Sequence, residues 1–208
     1  MMLDARPDMS EYPDGIEWPP KNVWIGATIC NQEEADRDIL KLLSVPAAKR
    51  FLSIEPMLGP IDLRNVAIPV EHDMLRRPWD IDSHKFNVLQ EYDDDHYHQT
   101  PSTIDWVICG GESGKNARPM HLDWVRNLRD QCVAAGVPFF FKQWGEWVQV
   151  ERSSEISSRI TMPGQNGEWF AWPGGRRDGW RTGPIMHRVG KKEAGRLLDG
   201  REWNGMPV

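Results

Sequence analysis

The chain is short of cysteine, of tyrosine and of long apolar runs, and each shortage excludes something. Three cysteines in 208 residues, Cys30, Cys109 and Cys132, lie far apart with no CxxC spacing. They cannot all pair, so a disulfide framework and a sequence-local metal knuckle are both excluded, and a reducing, cytoplasmic setting is expected. No apolar run approaches the roughly 18 residues of a membrane span, so no membrane partner is expected. The acidic, proline-containing Met1 to Gly15 lacks the apolar core of a signal peptide. No phosphate-cradling glycine loop and no Ser-His-Asp order is present. Positive charge is also in deficit. A net charge of −6 argues against gripping nucleic acid by bulk electrostatics, though it leaves room for a local basic patch.

What the chain does have is order. Apolar, β-branched stretches at "NVWIGATIC" (22–30), "KRFLSIEP" (49–56), "DWVICGG" (105–111) and "VPFFFKQWG" (137–145) read as buried strands. Between the first two, "NQEEADRDILKLLSV" reads as a helix. Asn31 caps it, Glu33 and Glu34 sit in its first turn, and Ala35, Ile39, Leu42 and Leu43 share a face. Between the last two, "HLDWVRNLRDQCVAAG" is a second amphipathic helix that ends at Gly136. Strands alternating with helices predict an α/β fold. It is expected to be a partial, barrel-like parallel sheet of about four strands with helical crossovers.

The middle crossover differs. Residues 64–103 are polar, include "EYDDDHYHQT", and offer a helical face only around Phe86 to Leu89, so they read as an insertion. Residues 1–149 then form the barrel-like part. Residues 150–208 form a tryptophan-rich tail packed on it, with short strands at "SRITMPG" and "EWFAWPGGRRDGW" and a terminal helix at "GKKEAGRLLDG".

In a parallel sheet, ligands sit beyond the carboxyl ends of the strands. Here those ends carry Cys30-Asn31-Gln32, Glu55-Pro56, Gly110-Gly111-Glu112-Ser113 and Lys142-Gln143-Trp144. Asn31, Glu55, Lys142, Gln143 and Trp144 are therefore candidate substrate-binding residues. Gly110 and Gly111 allow close approach of backbone to a ligand. Two readings of the 110–113 segment stand: a ligand turn, or a plain turn whose carboxylate makes a salt bridge or caps the next helix.

Other candidates have simpler expected roles. His96 and His98 with Asp93 to Asp95 carry metal-ligand types, but an exposed acidic loop is the expected reading. Trp144, Trp147, Trp169, Phe170, Trp172 and Trp180, interleaved with Arg176, Arg177 and Arg181, have the composition of a platform for single-stranded nucleic acid. Packing of the tail onto the sheet is the expected role. His121 is a candidate base near the rim, and a helix-start residue otherwise.

Three stretches together carry a resemblance: "NVWIGATICNQEEADRDILKLLSVPAAKRFLSIEPMLGPIDL", "IDWVICGGESGKNARPMHLDWVRNLRDQC" with "GVPFFFKQWGEW", and "GKKEAGRLLDGREW". They resemble the phage Gp37/Gp68-type family of unknown function, found in phage, prophage and bacterial genomes, whose fold looks like a radical-SAM-like partial (βα) barrel. Full-length relatives begin with a half that holds a three-cysteine cluster suited to an iron–sulfur centre, and this sequence resembles the half that follows. The resemblance therefore implies no cluster bound by this chain alone, no catalysis of its own, and S-adenosylmethionine as a cofactor only with a partner half. By the same analogy, Gly110, Gly111, Glu112 and Ser113 sit where that cofactor's amino-acid and ribose parts are contacted. The implied partners are a separately encoded N-terminal half, a second copy of the chain, nucleic acid, or a host protein. The functions implied are a ligand- or partner-binding module, a subunit of a split enzyme that modifies nucleic acid, or a non-catalytic phage protein that inhibits a host defence component.

Overall fold

Each apolar run becomes a strand and each capped segment a helix. The computed structural model describes residues 19–67, 85–90, 103–150, 169–173 and 182–208. In chain order these form β1 (Trp24–Thr28), α1 (Gln32–Ser44), β2 (Lys49–Ile54), β3 (Val66–Ala67), β4 (Lys85–Phe86), β5 (Trp106–Gly110), α2 (Leu122–Ala134), β6 (Phe139–Gln143), β7 (Trp147–Val150), β8 (Trp169–Pro173), β9 (Thr182–Arg188) and α3 (Lys191–Ala194).

The central sheet has the order β1-β2-β5-β6 and every pairing in it is parallel. This is the α/β architecture that the sequence pattern predicts. The helix caps follow the expected chemistry. The Asn31 side chain accepts from Glu34 N at the start of α1. The Glu34 carboxylate reaches back to accept from Cys30 N at 2.7 Å, a variant of the capping box. Helix α1 buries Ala35, Ile39, Leu40 and Leu42, and α2 buries Val125, Leu128, Gln131 and Cys132. All of these except Gln131 join one cluster with Leu52, Ile54, Val107, Cys109, Phe139 and Phe141, so both helices cover the same face of the sheet. Burying each such aliphatic side chain stabilises the fold by about 1.5–3 kcal/mol.

Strand alternation assigns the opposite face to Trp24, Gly26, Thr28, Phe51, Ser53, Trp106, Ile108, Phe140 and Lys142, all exposed or half-buried. An aromatic row crosses it. Trp106 meets Trp24 at 6.1 Å, Phe51 at 5.9 Å and Phe140 at 6.2 Å between ring centroids. The Phe51 ring lies over Gly26, where a Cβ would stand 2.4 Å from its Cζ.

The two edges of the sheet differ. Along β6 the chain's own last residues add backbone pairing: Phe141 N donates to Trp203 O and Gly205 N to Phe139 O, each at 3.0 Å. Phe140 bridges Asn204 between them. Along β1 no described residue does the same, and Trp24, Gly26 and Thr28 are exposed.

Between β2 and β5 no described residue is helical. Phe86 to Leu89 does not form a helix: Phe86 ends β4, which pairs antiparallel with β3, and Val88 and Leu89 sit in a buried turn. The four-residue stretch is too short to nucleate a helix, and it is held instead by Val88 N donating to Leu63 O and Ile104 N to Val88 O, both 3.0 Å. The buried Gln131 secures the same region from α2, accepting from Leu63 N at 2.8 Å and donating to Ile61 O at 2.9 Å. In the tail, β7, β9 and β8 make an antiparallel sheet. The terminal helix is only four residues long, stopped by Gly195 at φ +67°. "SRITMPG", His96, His98, Asp93 to Asp95, Trp180, Arg176, Arg177 and Arg181 lie outside the described residues.

Candidate functional site

The carboxyl ends of β2, β5 and β6 meet at one rim. Glu55 follows β2 and Lys142 lies in β6, two strands away, with β5 between them. The Lys142 ammonium nonetheless donates to the Glu55 carboxylate at 2.9 Å. Gly110 makes this possible. A Cβ on Gly110 would stand 2.5 Å from Glu55 Oε1 and 2.9 Å from its Cγ, so the Glu55 side chain crosses β5 through space that only glycine leaves open. Glu55 is well covered while Lys142 is half exposed, so the pair faces outward on its ammonium side.

The next three residues form a braced loop. Gly111 N donates to Gln143 O at 2.9 Å, and Glu146 N to Glu112 O at 3.1 Å. The backbones pack so closely that a Cβ on Gly111 would stand 2.0 Å from Trp144 O, and one on Gly145 2.0 Å from Glu112 O. Glu112 turns its carboxylate to Arg118, which donates from its backbone N at 2.7 Å and from Nε and Nη2 at 2.8 Å each. The Arg118 hydrogen bonds hold the Glu112 carboxyl below its usual range. Gly114 N donates to Glu146 Oε1 at 3.0 Å, and Arg188 Nη2 donates to Gly114 O at 2.7 Å, so the residue before β7 and the end of β9 brace the loop. Ser113 stays exposed and makes no hydrogen bond among the described residues.

Cys30 belongs to the same neighbourhood. Burial first, then the Glu34 carboxylate, pushes its thiol up, while Arg118 acts in the opposite sense. Arg118, Glu146 and Glu34 are site residues that the sequence reading passed over. The signal for Arg118 was present in "GGESGKNARP", where Gly114 allows a turn (φ +100°) that can return a cation to the carboxylate.

The other candidates are held in structural work. Asn31 caps α1 and abuts Gly59. Gln143 Nε2 donates to Gly111 O at 3.4 Å, steadying the loop. Trp144 is buried, its indole donates to Leu197 O at 2.8 Å, and its ring packs on Phe141, away from Lys142. His121 caps α2, accepting from Asp123 N at 3.1 Å through Nδ1, and burial lowers its pKa. Of the tail aromatics, Trp147 donates to Ala117 O at 2.8 Å, Trp169 stacks on His187, and Trp172 meets both Trp124 and Phe170 at 4.9 Å. These contacts pack β7–β9–β8 against α2 and the rim loop.

The three thiols sit on different elements: Cys30 follows β1, Cys109 lies in β5 and Cys132 on α2. Burial raises Cys109 well above its usual range and pushes Cys132 up to about 12. Cys109 Sγ contacts Met57 Sδ at 3.7 Å, and Cys132 is on α2, in the core. Among the described residues no group of three or more His, Cys, Asp or Glu is placed to hold a metal ion. No helix among them is long and apolar enough to cross a membrane.

A model of the family "Protein of unknown function (DUF5131)" matches residues 2–207. The chain belongs to DUF5131. No curated protein and no solved structure matches it. The rim of this DUF5131 member therefore has to be read from its own chemistry. Among the described residues it presents one carboxylate–ammonium pair, one carboxylate–guanidinium pair and an exposed hydroxyl. Both charge signs therefore stand side by side at the rim.

Proposed function

We propose that this DUF5131 chain is a binding module of the phage Gp37/Gp68 type, related to the C-terminal half of a radical-SAM-like enzyme and not catalytic by itself. Its ligand is an adenosine-type molecule of the S-adenosylmethionine class, held at the rim by Glu112 and Ser113 beside Glu55 and Lys142, while the buried Gly110 and Gly111 let these side chains lie over β5 and the loop. The observation that supports this is the Glu55–Lys142 pair laid across Gly110 next to the Glu112–Arg118 pair. An amino-acid zwitterion offers an ammonium to the carboxylates and a carboxylate to Lys142 or Arg118, exchanging two internal ion pairs for two external ones. When bound with a partner half that carries the cluster, the ligand would supply radical chemistry. This chain's own residues would only bind and orient it.

Titration calorimetry with S-adenosylmethionine and S-adenosylhomocysteine tests the reading. Loss of one charge-assisted contact is worth about 1.5–3 kcal/mol, so Glu112→Ala and Lys142→Ala should each weaken binding by roughly 10- to 100-fold with an unchanged circular dichroism spectrum. Affinity unaltered in both variants, or no heat from the wild-type chain at millimolar ligand, removes the rim site.

A further inference from the structure

The two carboxylates at the rim are not equivalent. Glu112 is fully engaged: Arg118 donates to its Oε2 from the backbone N and from Nε, and to its Oε1 from Nη2. Glu55 accepts from Lys142 Nζ alone, at 2.9 Å on Oε2. Its Oε1 accepts no hydrogen bond among the described residues. Yet the Glu55 side chain is only 16% exposed, against 53% for Lys142. A charged oxygen that is mostly covered gives up hydration, and leaving it unbonded is unfavourable. Oε1 is also the oxygen that lies over Gly110, 2.5 Å from where a Cβ would stand, so the glycine below it determines where it can sit.

We infer that Glu55 Oε1 is the receptor for the ammonium of an α-amino-acid head group, and that Glu55, rather than Glu112, decides which ligands the rim accepts. The inference rests on the reading of the rim as a ligand site and narrows it to one orientation. The ligand ammonium donates to Oε1. Lys142 stays on Oε2 and turns one of its remaining N–H groups to the ligand carboxylate, which its half-exposed ammonium with three donors allows. Charges then alternate around the contact: Lys142, Glu55, ligand ammonium, ligand carboxylate, and back to Lys142. A simple amine does not complete this ring. Its charge would face the Lys142 ammonium across a carboxylate that the lysine already neutralises, with nothing to offset the repulsion. A simple carboxylate meets the reverse difficulty at Glu55. A head group with both charges on one carbon satisfies both residues at once. Glu112 acts at one remove. Its bonds hold Arg118 and the 112–118 loop beside the site, so it is a positioning residue.

Titration calorimetry on the full chain compares S-adenosylhomocysteine with its desamino analogue, which keeps the adenosine and the carboxylate. The wild type should prefer the amine-bearing ligand by roughly 10- to 100-fold, the worth of one charge-assisted contact. Glu55→Gln should abolish that preference. Glu112→Gln should weaken both ligands alike and keep it. If Glu55→Gln fails to fold, Gly110→Ala decides: its methyl crowds the same oxygen and should reduce the preference in a chain with the wild-type circular dichroism spectrum. L-Methionine, a head group without adenosine, separates the inference from the reading it rests on. Shifts of the Gly110 and Gly111 amide resonances with millimolar L-methionine, lost in Glu55→Gln, uphold the receptor even where S-adenosylhomocysteine gives no heat. Binding of S-adenosylhomocysteine with no preference over the desamino analogue overturns the receptor and leaves the rim site standing. So does a preference that survives Glu55→Gln or vanishes in Glu112→Gln instead. No response to either probe removes both.

Discussion

Gly110 and Gly111 are neighbours, and the same substitution at the two should have different consequences. At Gly111 an added methyl would lie 2.0 Å from Trp144 O and 2.6 Å from its carbonyl carbon. Backbone cannot swing away, because Gly111 N is bonded to Gln143 O and Glu146 N to Glu112 O. Overpacking of this kind costs about 1–3 kcal/mol, and the loop hydrogen bonds that must break add about 1 kcal/mol each. Gly111→Ala should therefore destabilise by about 3 kcal/mol or more. At Gly110 the nearest atoms belong to the Glu55 side chain. Glu55 can rotate off β5, at the expense of its contact with Lys142. That contact is half exposed, so its loss costs about 1 kcal/mol or less. Residual crowding against Cγ adds about 1 kcal/mol, and the reduced freedom of the unfolded chain returns about 0.4–1 kcal/mol. Gly110→Ala should come out near 1 kcal/mol destabilising. Urea unfolding of both variants measures the two values. The decisive comparison repeats Gly110→Ala in a Glu55→Ala background. With the obstructing side chain gone, the added methyl should be neutral or stabilising, a coupling of about 1 kcal/mol. An unchanged penalty in that background would mean that Glu55 does not cross β5, and the rim geometry would be wrong.

Three other expectations follow from the same contacts. Gln131→Leu leaves Leu63 N and Ile61 O without their buried partner and should cost about 2–4 kcal/mol, read as a fall in urea midpoint at constant slope. The Glu112 carboxyl is depressed by Arg118, so the stability it lends is complete above its unfolded pKa of about 4.3 and is lost as pH falls below that value. The stability gap between wild type and Glu112→Gln should accordingly close on acidification below about pH 4.3, and a gap that widens there contradicts the assignment. Anaerobic iron–sulfide reconstitution of the chain alone should give no visible charge-transfer band. A band that disappears with Cys30→Ser or Cys109→Ser would show that these thiols ligate.

The sequence carried the frame of the fold because its signals are local. Asn31 announced α1, the stretch from Phe139 to Phe141 announced β6, and each lies within a window that periodicity can read. The order of strands also told which residues end at the same rim. It could not tell which of them touch. The Glu55–Lys142 contact spans 87 positions and depends on a glycine in the intervening strand. Trp144 and Asn31 looked like rim residues because they follow strands, yet a buried indole donor and a helix cap each had a nearer partner. Phe86 to Leu89 looked helical because four residues cannot separate one turn of helix from a buried turn. The sealing of β6 was illegible for a plainer reason. Trp203 to Gly205 have no strand pattern of their own, and their pairing is set by where the tail returns after more than fifty residues.

That return has a consequence for synthesis. Phe139 to Phe141 leave the ribosome well before the residues that cover them, and the gap, at roughly 5–20 residues per second, lasts several seconds. Through that interval the nascent chain displays a phenylalanine-rich strand with free amides. A chaperone that recognises extended apolar segments would have its best opportunity then, and a premature stop before Trp203 would make the exposure permanent.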